Sequence, residues 1–250
     1  MPASTSQTWR CEVNFGADLS TLWQMARGQD SASSHAARLE AFYRPQAAAY
    51  DRFRERLLMG REGLIAALDI RAGQQVLELG AGTGRNAEFF AAVVPTLARL
   101  CLVDLCPALL EQARLRTARW TNCEVIEADA SHYQATGVDR VFMSYALSMM
   151  PDWHTVLNNA CAMLADDGLL GVVDFYAADA QPSSGLVRHG ALSRWFWPRW
   201  FAHDGVRLDS ASLRALRTQL TTVYLYEGLA RVPYLPGLRV PYFVFVGRRP

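Results

Sequence analysis

The sequence predicts one α/β domain in which helices cover both faces of a mostly parallel sheet. Short apolar runs alternate along the chain with helical patterns of ten or more residues, as the strands and crossovers of a parallel sheet require. The length of 250 residues suits one such domain, and no internal repeat interrupts the order. A hydrophobic content of 51% against 20% charged residues excludes an intrinsically disordered chain.

The amino-terminal part of the chain predicts an arm followed by two helices. Residues 1–34 are rich in Ser, Thr, Gln, Ala and Gly and show no sustained period, so we expect a partly ordered arm there and a domain over 35–250. Between residues 36 and 68, apolar side chains recur at helical spacing. Pro45 divides this stretch and predicts two leading helices rather than one.

Five short apolar runs predict the parallel strands, at residues 75–79, 100–103, 124–127, 139–145 and 169–175. The alternation then stops, which predicts an insertion near 177–209. A helix over 210–219 precedes a strand near 221–226, a proline-rich connection and a last strand over 242–247. These final elements predict a terminal antiparallel hairpin.

Composition excludes several classes of function. Twenty-five basic and twenty-four acidic residues leave a net charge of +1, which argues against a nucleic-acid partner. Every basic residue is arginine, so Schiff-base chemistry and a P-loop lysine are excluded. The five cysteines form no C-x-x-C pair, which indicates free thiols in a reducing cytoplasm, and we predict no metal site. No secretory signal or apolar stretch of membrane-spanning length is found, so only peripheral membrane contact stays open.

The strongest local motif is a glycine loop, Val76-Leu-Glu-Leu-Gly80-Ala-Gly82-Thr-Gly84, which joins the first strand to a helix expected near Arg85. Glycines allow positive φ and a close approach of the backbone to a ligand. The spacing is G-x-G-x-G behind an acidic residue, whereas the dinucleotide fingerprint is G-x-G-x-x-G. A dehydrogenase is therefore disfavoured.

Acidic residues follow the first three strands. Glu78 suits a ligand with a cationic amino-acid end, Asp104 can accept hydrogen bonds from both ribose hydroxyls, and Asp129 can meet an adenine amine. Because the carboxyl ends of parallel strands meet at one edge of a sheet, these groups converge on one nucleoside. The alternative is that Asp104 and Asp129 only cap the helices that follow.

This ordered set resembles the class I S-adenosylmethionine-dependent methyltransferases over about residues 70–176. The resemblance implies a Rossmann-like fold with a seven-stranded sheet, a terminal hairpin and a helical amino-terminal extension. It also implies S-adenosylmethionine as cofactor, leaving as S-adenosylhomocysteine. The cofactor-binding residues that it implies are Glu78, Gly80, Ala81, Gly82, Thr83, Gly84, Asn86, Asp104, Leu105, Asp129, Ala130 and Ser144.

Other segments resemble a narrower family, the methyltransferase component of the betaine-lipid synthases. They lie at residues 41–51, 142–151, 171–175, 194–201 and 232–242, with 246–247. The resemblance implies methylation of the amino group of diacylglyceryl-homoserine to diacylglyceryl-N,N,N-trimethylhomoserine. It implies a lipid substrate at the membrane surface, a location peripheral to the inner face of the cytoplasmic membrane, and a separate aminocarboxypropyl transferase as partner.

Methyl transfer to an amine requires a neutral nitrogen held in line with the methyl carbon. Candidate proton acceptors are Tyr145, Asp174 and His154, although Asp174 could instead end a strand, His154 could lie on a helix surface, and a dedicated base need not exist. Arginines suit the homoserine carboxylate and aromatic faces suit a methylammonium. The expected substrate-binding residues are Tyr43, Arg44, Tyr50, Arg194, Arg239 and Tyr242.

The segment Arg194-Trp-Phe-Trp-Pro-Arg-Trp-Phe201 has two interpretations, a membrane-contacting lid or a cover packed over the cleft. Two other functions also stay open. One is methylation of phosphatidylethanolamine or another small amine. The other is a non-catalytic S-adenosylmethionine-binding partner of the aminocarboxypropyl transferase.

Overall fold

Seven strands form one sheet in the computed structural model, which describes residues 35–44, 57–182, 185–202, 206–232 and 237–250. The strands are β1 (Gln75–Leu79), β2 (Arg99–Asp104), β3 (Cys123–Glu127), β4 (Val138–Ser144), β5 (Leu164–Phe175), β6 (Thr221–Arg231) and β7 (Arg239–Arg248). Their order across the sheet is β3-β2-β1-β4-β5-β7-β6. The first five strands are parallel, and β7 pairs antiparallel with both β5 and β6. The predicted α/β domain with a terminal hairpin is confirmed.

Six α-helices belong to the described part of the chain. They are α1 (His35–Tyr43), α2 (Arg61–Leu68), α3 (Pro107–Thr117), α4 (Trp153–Met163), α5 (Ala191–Ala202) and α6 (Ala211–Gln219). The two leading helices are therefore present, while Pro45 and the predicted arm over 1–34 lie outside the described residues. The predicted insertion near 177–209 contains α5.

The central strands β1, β2 and β4 are buried on both faces, which explains why they appear as near-continuous apolar runs. Successive residues of β4 point to opposite sides, so Phe142 joins one apolar cluster with α2 while Met143 joins the other with α4. Both side chains are fully buried. Packing in these two clusters holds the strands in place and so positions the loops that follow them.

Two predicted elements differ in the structure. The segment after β1 forms 3₁₀ turns at Arg85–Phe90 and Val94–Thr96 in place of an α-helix. Pro95, which lacks an amide proton, follows Val94 and prevents a regular helix from continuing there. The last strand also begins earlier than predicted, at Arg239, because β6 continues to Arg231 and pairs with it there. At Pro241 the strand has only β6 as a neighbour, so the proline removes no bond to β5.

Helix α5 places its aromatic side chains on two sides. Trp197 and Phe201 are buried in the core, whereas Trp195 and Trp200 are exposed. Within the described ranges, no helix combines the length and the apolar character needed to cross a bilayer.

Candidate active site

A cavity lies beyond the carboxyl ends of β1, β2, β3 and β4. The glycine loop, the ends of β2 and β3, the segment after β4, and residues of α1 and α2 all contribute to its wall. The strand order reverses beside β1, which pairs with β2 on one side and β4 on the other. In open α/β sheets this reversal is where ligands bind.

The glycine loop is held in a conformation that favours glycine. Gly80, Gly82 and Gly84 all have positive φ, at 73°, 55° and 68°. A Cβ on Gly80 would lie 2.4 Å from the Cβ of Ala146, so no side chain fits there. A Cβ on Gly82 would meet only Leu109 Cδ1, at 3.9 Å, which leaves its backbone open to the cavity that both residues line.

Asp104 ties the loop to the end of β2. Its Oδ2 accepts a hydrogen bond from the Gly82 N–H at 2.8 Å, and its Oδ1 accepts one from Cys106 N–H at 2.8 Å. Burial raises the pKa of Asp104, while these hydrogen bonds oppose the shift. Each carboxylate oxygen can still accept a further bond, so Asp104 can meet a hydroxyl in the cavity.

Glu78 lies beneath the loop and is not among the residues that line the cavity. It is fully buried, and its Oε1 accepts a hydrogen bond from Asn86 Nδ2 at 2.6 Å. Burial raises the pKa of Glu78 to about 8, so the carboxyl group is largely protonated at neutral pH. Asn86 itself reaches the cavity wall, and Glu78 acts on the site through it.

The third and fourth strands supply the far side of the wall. Asp129, which is exposed, accepts hydrogen bonds from the backbone N–H and hydroxyl of Ser131 at 2.8 and 2.7 Å. Ala130 and Ser144 line the cavity beside it. Of the twelve predicted cofactor-binding residues, Glu78 and Gly84 are the two outside the lining. Gly84 instead lies against α3, where a Cβ would approach Ala113 Cβ to 3.3 Å.

Helix α1 covers part of the cavity. Leu39 and Tyr43 line it, and the Tyr43 hydroxyl donates to Met149 Sδ at 3.4 Å. Glu40 Oε2 accepts a hydrogen bond from Ala108 N–H at 3.1 Å, in the first turn of α3. This bond holds α1 against the helix that follows Asp104.

Tyr145 occupies the wall directly after β4. Its φ of 54° is unusual for a residue with a side chain, and its hydroxyl donates to the Met59 carbonyl oxygen at 2.5 Å. Burial, with Asp174 nearby, raises the pKa of Tyr145 well above its usual range. The phenol therefore stays protonated and can orient an acceptor but not deprotonate it.

Neither of the other predicted proton acceptors lines the cavity. The Asp174 carboxylate is buried and accepts hydrogen bonds from the Ser148 hydroxyl and N–H and from Phe175 N–H, at 2.7 to 2.8 Å. Burial raises the pKa of Asp174 to about 6. His154 is exposed on α4, with its ring 3.5 Å from that of Trp153. The structure thus gives Asp174 a role in holding the turn after β4 and leaves His154 on the surface.

The predicted substrate-binding residues are dispersed. Tyr43 alone of the described ones lines this cavity, and Tyr50 lies outside the described residues. Arg44 is exposed and pairs with Glu40 at 2.7 Å, while Tyr242 is buried against Gly228. Arg194 is half-buried on α5, and Arg239 lines a second cavity. Spacing along the chain did not reveal the positions of Arg194, Arg239 and Tyr242, because these depend on how α5 and β7 pack.

Three charged residues of the lining were not predicted from the sequence. Arg61, at the start of α2, is buried, and its Nε donates to the Leu58 carbonyl oxygen at 3.1 Å. Arg85 follows the glycine loop and pairs with Glu88 at 2.8 Å. Asp152, the N-cap of α4, adds a carboxylate at the rim. Of these three, Arg85 alone could have been found from the sequence, because it directly follows the glycine loop.

The residues of this cavity fit S-adenosylmethionine. Among the described residues, three buried side-chain oxygens here have no hydrogen-bond partner: Glu78 Oε2, Asn86 Oδ1 and Ser144 Oγ. Buried polar atoms are normally paired. The Asn86 and Ser144 oxygens belong to residues that line the cavity, so they suit a ligand with donor groups, such as an ammonium. The largely protonated Glu78 lies beneath them. Arg61 offers a guanidinium for a carboxylate, and Asp104 and Asp129 offer acceptors to a nucleoside.

Comparison with known proteins agrees with this geometry. Residues 76–168 match the family model of a methyltransferase domain. Trans-aconitate 2-methyltransferase of Enterobacter sp. (strain 638) is 31% identical over 134 residues, which cover 53% of this chain and 51% of that protein. The chain spans about half the length of the first curated relatives that it matches.

Solved structures of methyltransferases have a similar fold, and two of them show the extent of the similarity. A chain in the Haloferax volcanii complex between the Trm112 methyltransferase activator and a methyltransferase superposes with a TM-score of 0.66 and 17% identity, covering 84% of this chain and 97% of that one. The N-methyltransferase NodS from Bradyrhizobium japonicum WM9, solved with S-adenosylhomocysteine, has a TM-score of 0.57 and 20% identity, covering 94% and 98%. The chain therefore has the fold of these methyltransferases, and its residues 76–168 match a methyltransferase domain.

Proposed function

We propose that the cavity binds S-adenosylmethionine and that the protein transfers its methyl group to the amino nitrogen of diacylglyceryl-homoserine, giving diacylglyceryl-N,N,N-trimethylhomoserine. The observation that carries this proposal is the convergence of the glycine loop, Asp104 and Asp129 from three strand ends on one cavity. The lipid acceptor is supported by the segments at 142–151, 171–175, 194–201 and 232–242, which resemble the betaine-lipid family.

Each end of the cavity offers groups that suit one part of the cofactor. Asn86, supported by Glu78, and Arg61 suit the amino-acid end, since they present an acceptor and a cation. Asp104 suits the ribose hydroxyls. Leu105 and Ala130 provide apolar contacts for adenine beside the Asp129 carboxylate.

When bound, S-adenosylmethionine supplies a methyl carbon activated by a positively charged sulfur. The amine nitrogen forms the new C–N bond as the C–S bond breaks, and a proton leaves the nitrogen. Tyr43, Tyr145 and Met149 exclude water from this part of the wall, and an apolar environment favours the neutral amine. The Tyr145 hydroxyl, fixed on Met59, leaves its oxygen lone pairs to orient an acceptor N–H.

Proton removal does not require a buried base in this scheme. Asp174 is occupied by Ser148 and Phe175, and His154 lies outside the wall. Asp152, exposed at the rim, is the carboxylate available to relay the proton to solvent. Positioning and desolvation therefore carry most of the rate.

The location and partner follow from the acceptor. A diacyl lipid reaches the enzyme at a bilayer, so we propose a position peripheral to the inner face of the cytoplasmic membrane. The exposed Trp195 and Trp200 of α5 suit such an interface. A separate aminocarboxypropyl transferase would supply the homoserine lipid.

The test is an incubation of the purified protein with methyl-labelled S-adenosylmethionine and mixed micelles of diacylglyceryl-homoserine, phosphatidylethanolamine or neither. Mass spectrometry of the lipids would then show mono-, di- and trimethylated homoserine lipid if the proposal is correct. Labelled phosphatidylethanolamine alone would assign the other lipid as acceptor. Calorimetric binding of S-adenosylhomocysteine without any labelled lipid would contradict lipid methylation.

A further inference from the structure

A second cavity of about 570 Å³ lies between α5 and the β6–β7 hairpin. Its size falls within the range of small-molecule sites. The wall is mostly apolar, with Phe196, Trp197, Leu229 and Pro241 among its members. None of these residues lines the first cavity, so the methyl-transfer site does not account for this space.

The two cavities open at the same edge of the sheet. Phe175 ends β5 opposite Tyr242, so Arg239, Val240 and Pro241 run on past the carboxyl end of β5. Leu229 of β6 pairs with Pro241, so it also lies beyond the carboxyl end of β5. The second cavity therefore lies beside the first, displaced along the sheet toward β6.

A continuous aromatic wall separates the cavities. The Tyr145 ring lies 4.5 Å from that of Phe175, which lies 5.2 Å from Phe201. Phe201 lies 6.0 Å from Trp197, whose side chain lines the second cavity. Trp197 and Phe201 are almost fully buried, so this wall is part of the core.

Hydrogen bonds to polar groups behind the second cavity hold the segment that leads into α5. His189 Nδ1 accepts a hydrogen bond from Ala178 N–H at 3.0 Å, and burial lowers the pKa of His189, which keeps the ring neutral. Glu227 Oε2 accepts one from Val187 N–H at 3.0 Å, and its other oxygen accepts from the Tyr176 hydroxyl. These bonds fix the segment before α5, which contributes Val187, Arg188 and His189 to the cavity wall.

The rim is apolar and positively charged. Val187, Leu192, Leu229 and Leu238 line the cavity and are exposed by 40–75%, which is unusual for adjacent large apolar side chains. Arg188 and Arg239 are also exposed and line the cavity, and no Asp or Glu stands among its lining residues. In the described ranges, no carboxylate forms an ion pair with either arginine.

We infer that this second cavity binds an acyl chain of an anionic membrane lipid, with Arg188 and Arg239 against its headgroup. An apolar interior suits a hydrocarbon chain, and exposed apolar side chains at the mouth suit the bilayer from which the chain comes. The two exposed guanidiniums complement a phosphate. The inference goes beyond the proposed function, because this lipid is not the one that is methylated. It places the first cavity at the bilayer surface.

Gly190 offers a direct way to fill the cavity. It lines the wall, its φ is not in the positive range, and a Cβ built on it meets no atom within 4 Å. Gly63 on α2 is a matched control, because it is also exposed with an open Cβ and lines neither cavity. Gly190→Trp and Gly63→Trp therefore add the same indole inside and outside the site.

The first measurement is titration of the full chain with cis-parinaric acid, a fluorescent fatty acid, and with its uncharged methyl ester. We expect saturable binding of the acid by the parent and by Gly63→Trp, weakened by about tenfold or more in Gly190→Trp. Arg188→Gln with Arg239→Gln should weaken the acid about tenfold while changing the methyl ester little. This double variant carries the test if Gly190→Trp does not fold.

The second measurement is sedimentation with vesicles of phosphatidylcholine alone and of phosphatidylcholine with phosphatidylglycerol. We expect binding to the anionic vesicles, with Gly190→Trp and the arginine double variant reduced. Equal behaviour of Gly190→Trp and Gly63→Trp with both probes would overturn the inference. Binding of parinaric acid without vesicle binding would also overturn it, in favour of a free fatty acid. S-adenosylhomocysteine affinity, measured in parallel, reports separately on the first cavity.

Discussion

Asp104 accepts a hydrogen bond from the backbone N–H of Gly82 over 2.8 Å, and this bond joins the end of β2 to the middle of the glycine loop. The second oxygen of the same carboxylate accepts from Cys106 N–H, immediately before α3. The two interpretations of Asp104, ligand contact and local cap, are therefore compatible. One side chain shapes the loop, supports the start of the next helix and lines the cavity.

Asp104→Ala should weaken binding of S-adenosylhomocysteine by ~1–3 kcal/mol, because charged hydrogen bonds are lost and the loop is released. Isothermal titration calorimetry measures the change. Asp104→Asn is the matched control, since it keeps the shape and one acceptor and should lose less. A lower melting temperature with unchanged affinity would make Asp104 a structural residue only.

Glu78 should make stability depend on pH. Burial raises its folded-state pKa to about 8, above the unfolded value, so the folded protein retains a proton that the unfolded chain releases. The free energy of unfolding should therefore fall as pH rises from about 4.5 to about 8, on the order of a few kcal/mol at about 1.4 kcal/mol per pKa unit.

Glu78→Gln removes this titration while keeping an acceptor for Asn86. Urea denaturation at the two ends of that pH interval should show a smaller loss of stability in the variant than in the parent. Identical pH dependence in both proteins would contradict the raised pKa.

The sheet and the glycine loop were predictable because their causes are local. Parallel strands buried on both faces appear as apolar runs, and the spacing of Gly80, Gly82 and Gly84 identifies the turn by itself. The acidic residues at strand ends followed from the same geometry. Asp129, which follows the end of β3, is an example, because it lines the cavity as predicted.

The acceptor side was less predictable because it depends on tertiary packing. Asp174 ends a strand near the site, yet its oxygens are taken by Ser148 and Phe175. Arg61 begins α2, the helix that precedes β1, and only packing brings its side chain to the wall. Pairing of β7 with β5 decides that Arg239 faces the second cavity.

Asp174→Ala should lower the free energy of unfolding by ~1–3 kcal/mol, since the Ser148 and Phe175 N–H groups lose their buried acceptor. His154→Ala is the comparison, and as a surface change it should stay within about 0.5 kcal/mol. Chemical denaturation measures both. An undiminished stability of Asp174→Ala, with the pH dependence of methyl transfer shifted, would restore Asp174 as a proton acceptor.

Tyr145→Phe should reduce kcat for methyl transfer by about tenfold, the effect expected for one lost orienting hydrogen bond of ~1.4 kcal/mol. Its affinity for S-adenosylhomocysteine should change little, because the ring still packs on Phe175. Tyr43→Phe is a matched control, as it removes another lining hydroxyl, the one that donates to Met149. Equal kcat values for Tyr145→Phe and the parent would exclude the phenol from orienting the acceptor.

Substitutions of the α5 tryptophans should distinguish residues that contact a membrane from residues that pack in the core. Trp195 and Trp200 are exposed, and the Arg199 guanidinium lies 4.9 Å from the Trp195 ring, an arrangement suited to a lipid interface. Trp195→Ser with Trp200→Ser should lower sedimentation with anionic vesicles while leaving the free energy of unfolding nearly unchanged. Trp197→Ala should instead cost ~3–5 kcal/mol of stability, because its side chain is buried between Phe196 and Phe201. Vesicle binding by the double variant equal to that of the parent would assign the exposed tryptophans to something other than a bilayer.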